Sequence, residues 1–107
     1  MTTIPKYILI GTVRFTVEVT PDTELWRRSR LDLLGREDYK TATLSIREGM
    51  PQDVEAQVLM HEIFHALESA GGFTFTEKEI RGMNNGLFQI LRQNPQLVEY
   101  IVNAGRE

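Results

Sequence analysis

Hydrophobic and polar positions change rhythm several times along this chain. Tyr7-Ile8-Leu9-Ile10 is a short apolar run. From Val13 onward the side chains alternate, with Val13, Phe15, Val17 and Val19 on one face and Arg14, Thr16 and Glu18 on the other. A period of two predicts strands, so Tyr7–Ile10 and the alternating stretch up to Val19 read as a pair. Gly11-Thr12 between them sets glycine at the first central position of a two-residue loop, which suits a type II′ hairpin turn. Pro21-Asp22 ends the pair. Thr41 to Arg47 alternates again and is rich in β-branched residues, predicting a third strand that ends at Gly49. From Asp22 to Tyr39 no period is sustained, because Leu25, Trp26, Leu31, Leu33 and Leu34 are scattered among Arg27, Arg28, Arg30 and Arg36. That stretch reads as irregular, with room for one helical turn.

After Gly49 the rhythm becomes helical. A long helix opens near Pro51, carries Asp53 and Glu55 in its first turn, where the helix dipole favours acids, and closes at Gly71-Gly72. Its apolar residues, among them Val54, Val58, Leu59, Met60, Ile63, Phe64, Ala66 and Leu67, cover most of the circumference, which predicts burial on several sides. A second helix runs from about Thr76 to Arg92, with Ile80, Met83, Leu87, Ile90 and Leu91 at helical spacing, and stops at Asn94-Pro95. Leu97, Val98, Ile101 and Val102 then form an amphipathic tail, expected to pack back on the core as a last helix. The pattern therefore predicts an α+β fold: a small antiparallel sheet of three strands or slightly more, packed on the first long helix and on a second helix antiparallel to it.

Composition narrows the chemistry. The chain has 107 residues, 41% of them hydrophobic, enough for one core and hence one expected domain spanning 1–107. With no cysteine, disulfides, iron–sulfur clusters and thiol nucleophiles are excluded, and any metal must be held by His, Asp or Glu. A net charge of −3 with dispersed Lys and Arg argues against direct nucleic-acid binding; Arg27, Arg28 and Arg30 beside Glu24 and Asp32 read as a solvated face. The opening Met1 to Lys6 has no basic start followed by an apolar run, and no segment is apolar enough to span a bilayer. A cytoplasmic protein without a membrane partner is the expectation.

Both histidines lie in His61-Glu62-Ile63-Phe64-His65, an H-E-x-x-H sequence in the middle of the long helix. Residues four apart are neighbours on a helix, so two imidazoles project side by side and can take two corners of a zinc tetrahedron. Glu62, one step around the helix, is placed to act as general base on a water that the metal acidifies. A His/Glu trio among apolar neighbours is costly without partners, which a metal would supply.

A third ligand must be a carboxylate. If the loop after Gly71-Gly72 folds the second helix back, both Glu77 and Glu79 come within reach of His61 and His65. Each also fits a capping box, Thr74-x-x-Glu77 or Thr76-x-x-Glu79, and periodicity does not choose between them.

The run Val58-Leu59-Met60-His61-Glu62-Ile63-Phe64-His65-Ala66-Leu67, followed by the Glu-led helix from Glu77 to Leu87, resembles the small phage and prophage zinc metallopeptidases related to the ImmA/IrrE family, gluzincin-like enzymes with a zincin-like fold. Leu34 to Tyr39 and Ile46 are similar to that group's entry into the strand before the active-site helix, so the resemblance covers roughly residues 34 to 95. It implies Zn2+ held by His61, His65 and a glutamate of the next helix, with Glu62 as base. The family pattern, a Glu six residues before a large apolar residue and a small one, falls on Glu77 and Met83-Asn84, although Asn84 stands where the small residue belongs; Glu79 is the alternative. The implied activity is that of a zinc metalloendopeptidase cleaving a protein or peptide partner of the regulator or repressor kind. The alternative is a non-catalytic, zinc-containing regulatory or binding protein of phage or mobile-element origin. In zincin-type folds the strand before the active-site helix is commonly an edge, so Thr41 to Arg47 is the candidate docking strand for an extended substrate; the alternative is an ordinary sheet strand whose polar face is solvated. Tyr7, Tyr39 and Tyr100 are the tyrosines available to an oxyanion, and none is singled out.

Overall fold

Four strands and three helices make up the computed structural model, which describes residues 3–21 and 34–106. Strands β1 (Tyr7–Ile10) and β2 (Val13–Thr20) form the expected hairpin, with Ile10 paired to Val13 across the two-residue loop. Gly11 takes φ 62° while Thr12 keeps a negative φ, as the type II′ turn requires. Strand β4 (Thr43–Arg47) pairs in parallel with β2 and antiparallel with β3 (Gly35–Asp38). The order β1-β2-β4-β3 makes a four-stranded mixed sheet.

Three sequence expectations change here. The sheet is not all antiparallel, because the chain returns from β2 to β4 in the same direction. The stretch read as irregular contains β3; the remainder of that reading, residues 22–33 with Arg27, Arg28 and Arg30, lies outside the described residues. Thr41 to Arg47 is not an edge: β4 is flanked on both sides, and among the described residues β1 and β3 are the edges, β3 being the one beside the long helix and its histidines. Thr41 and Ala42 belong to the β3–β4 turn. There the Asp38 carboxylate accepts from the backbone N–H of Lys40 at 3.0 Å, and Ala42 sits at φ 49°.

Helix α1 (Gln52–Gly71) lies across one face of the sheet, and Leu59 and Ala66 join Ile10, Phe15, Leu44 and Ile46 in the core. The opposite side chains of β2, Arg14, Thr16 and Glu18, are exposed, so the alternation seen in the sequence divides core from solvent from Val13 to Glu18, while Val19 at the strand's end is exposed. Gly72, at φ 69°, ends α1 and donates its N–H to the Glu68 carbonyl. Coverage of α1 is less complete than its composition suggests: Val54 and Leu67 are exposed, because the sheet and one helix cover only part of its circumference.

Helix α2 (Glu77–Gln93) returns antiparallel to α1, with Glu77 beside His61 and His65 and Asn84 and Asn85 beside Gln57. It buries only Ile80 and Asn84; Met83, Leu87 and Ile90 are exposed. Helix α3 (Pro95–Asn103) packs on α2 and buries none of its residues, so the expected return of the tail to the core does not occur among the described residues. No described helix is long and apolar enough to cross a membrane.

Candidate metal centre

The site forms where α1, the start of α2 and the edge strand β3 meet. His61 and His65, one turn apart on α1, have ring centroids 5.0 Å apart. The Glu77 carboxylate spans them, one oxygen 3.3 Å from His61 Nε2 and the other 2.9 Å from His65 Nε2. One donor atom from each of the three residues lies within 4.8 Å of the others, and this His-His-Glu group can hold a metal ion. Zinc-to-ligand distances of about 2.0–2.2 Å in a tetrahedron set neighbouring donors roughly 3.3 Å apart, close to the two imidazole–carboxylate separations. The terminal torsions of His and Glu are soft, so small rotations bring all three donors onto one ion.

Local chemistry explains why Glu77 rather than Glu79 faces the histidines. Thr76 caps α2: its hydroxyl accepts from the Glu79 N–H at 3.1 Å, and the Glu79 carboxylate accepts from the Thr76 N–H at 2.9 Å. That reciprocal bond occupies Glu79 and holds its carboxyl below the usual range. Of the two capping boxes legible in the sequence, the second forms, and Glu77 is left to turn toward α1.

His65 is held from behind. Glu68, three residues on along α1, has one carboxylate oxygen 3.0 Å from His65 Nδ1, and its other oxygen accepts from the Phe75 N–H at 2.8 Å. The first contact suits Nδ1 as a donor, which would leave Nε2, facing the Glu77 carboxylate at 2.9 Å, as the nitrogen offered to a metal. The second ties the α1–α2 loop to the same carboxylate. Burial lowers the pKa of His61, opposed by the Glu77 charge and assisted by His65 and Arg81, which favours the neutral imidazole that ligates metals.

Glu62 is buried, 6% exposed, and its pKa is pushed up to about 7, chiefly by burial, with Glu77 and Glu37 adding and His65 opposing. Strand β3 comes close against it. A Cβ on Gly35 would stand 3.0 Å from Glu62 Cγ and Oε2 and 2.9 Å from Val58 Cγ1, so glycine lets this strand approach the carboxylate without displacing either side chain. Next to it, Ser69 donates to Glu37 at 2.9 Å and links the edge strand to α1.

Two clefts flank the histidines. One, about 750 Å³, is lined by Glu37, Glu62, His65, Glu68, Ser69 and Glu77; the other, about 550 Å³, runs between α1 and α2 along Val54, Val58, His61 and Asn84. Arg81 borders both, one turn beyond Glu77, and its Nε lies 3.5 Å from the Glu77 carbonyl. None of the three tyrosines lines either cleft: Tyr7 is on β1 under the Arg14 guanidinium, Tyr39 is tilted against Phe15, and Tyr100 is on α3. Glu68, Arg81 and Gly35 are therefore additions to the residues read from sequence. Only Glu68 carried a local signal, its i+3 spacing from His65.

The chain matches no protein-family model, and neither the curated proteins nor the solved structures give a match.

Proposed function

We propose that the chain is a zinc-dependent endopeptidase acting on a protein or peptide partner, with Zn2+ held by His61, His65 and Glu77 and with Glu62 as general base. The observation that carries this reading is Glu62 itself: a buried carboxyl with its pKa near 7, between two imidazoles that share one carboxylate, bordering both clefts. A closed structural zinc site takes four protein ligands and has no use for a base, whereas three ligands and a poised carboxylate suit hydrolysis.

When bound, zinc would polarise the scissile carbonyl and lower the pKa of water toward 7. Glu62 takes the proton of the attacking water and passes it to the departing amine nitrogen. Glu68 keeps His65 in the ligating tautomer. Arg81, bordering both clefts, is the donor we assign to the substrate's carbonyl oxygen as negative charge develops there. An extended peptide adds to the edge of β3 that is unpaired among the described residues, and since Gly35 packs on Glu62, strand pairing would bring the scissile bond to the base. The sequence resemblance favours a regulator or repressor as substrate.

The test compares zinc-loaded wild type with Glu62→Gln on a denatured whole-proteome digest, counting new N-termini by mass spectrometry. Glu62→Gln should keep its zinc and lose cleavage by at least about 100-fold. Equal cleavage by the two proteins would remove Glu62 from the chemistry.

A further inference from the structure

The cleft between α1 and α2 starts at His61 and Glu62 and runs toward the N-terminus of α1, with Leu34, Val54 and Val58 as apolar walls and amides along one side. Asn84, 4% exposed, donates its Nδ2 to the Gln57 carbonyl at 3.0 Å. That partner can only accept, which fixes the amide's orientation and makes the other end an acceptor. This Oδ1 is buried and has no hydrogen-bond partner among the described residues. A buried acceptor left unpaired is costly, and an arriving donor would recover that cost. Gln57 and Asn85 bond to each other at 2.6 Å, and each amide retains one unused end, a donor on one and an acceptor on the other.

We propose that this cleft is a specificity subsite that takes an uncharged substrate side chain with an apolar stem and a carboxamide tip, glutamine fitting best. Its role as a subsite rests on the peptidase reading; its ligand chemistry does not. The stem lies against Leu34, Val54 and Val58. The tip donates to Asn84 Oδ1 and exchanges its remaining bonds with Gln57 and Asn85. A carboxylate tip has no proton to give Asn84, and a cationic tip meets Arg81 at the cleft mouth. Because Oδ1 is shut off from solvent, its pairing requires side chains around the cleft to shift, and Leu34 and Arg81, exposed at the rim, are free to turn.

Binding can be read without turnover. Titrating isotopically labelled protein with N-acetyl-glutamine methylamide, and separately with N-acetyl-methionine methylamide of similar length, should shift the side-chain amide resonances of Asn84, Gln57 and Asn85. The glutamine probe should bind at least about fivefold more tightly, the equivalent of roughly 1 kcal/mol. In Asn84→Leu that preference should vanish or invert. The wild-type comparison holds even if the variant does not fold. Equal binding of the two probes, or shifts centred elsewhere, overturns the proposal. Selective binding by a protein that hydrolyses nothing would keep the subsite and discard the peptidase.

Discussion

At the scale of single residues, the site depends on a carboxyl whose protonation differs between folded and unfolded chains. Glu62 has an ordinary value of 4.5 and is raised to about 7 in the fold. The native state therefore binds more protons across that interval. The contribution of Glu62 is most favourable below about pH 4.5 and is lost as pH rises toward 7, an effect of up to about 3 kcal/mol. In chelator, urea unfolding of the wild type should show stability falling relative to Glu62→Gln between those limits; parallel profiles would mean that Glu62 is not strained by burial. Gly35 is the second such residue. In Gly35→Ala a methyl group meets Val58 at 2.9 Å, closer than Cβ atoms stand in folded proteins, and Glu62 at a tight 3.0 Å, so both side chains must give way. The substitution should destabilise by about 1–3 kcal/mol and reduce any Glu62-dependent cleavage, as measured by unfolding and by the N-terminus count.

At the scale of elements, the start of α2 decides which glutamate faces the histidines. Thr76→Ala removes the hydroxyl half of the capping box and should cost about 1 kcal/mol in urea unfolding with chelator present. A loss below about 0.3 kcal/mol would show that the cap does not hold Glu79 aside. Elements written in local periodicity were legible in the sequence: the β1–β2 hairpin, the extent of α1 and the H-E-x-x-H turn all follow from neighbours within a few residues. Strand β3 was not, since Gly35-Arg36-Glu37-Asp38 has little intrinsic strand preference and is extended by pairing with β4 and by close approach to Glu62. The parallel pairing of β2 with β4 joins residues 27 apart, such as Thr16 and Thr43, and leaves no periodic trace. For the site, the histidines and Glu62 were fixed by spacing. The choice between Glu77 and Glu79 needed the cap geometry, and Arg81 needed the antiparallel return of α2.

At the scale of the whole molecule, a sheet with one helical layer brings an edge strand, the buried Glu62 carboxyl and a His-His-Glu group together at one margin. The apolar residues Leu97, Ile101 and Val102 of α3 stay exposed, away from that margin. An ion bound only by the folded chain stabilises it by mass action, so zinc should raise the unfolding temperature and chelator should reverse the rise. The most direct measurement of the central claim is zinc content and affinity across the wild type, Glu77→Gln and Glu79→Gln. About one zinc per chain is expected in the wild type and in Glu79→Gln, with affinity at least about tenfold weaker in Glu77→Gln. A wild type that binds no zinc, or a Glu77→Gln variant that binds it as tightly as the wild type does, would contradict the account.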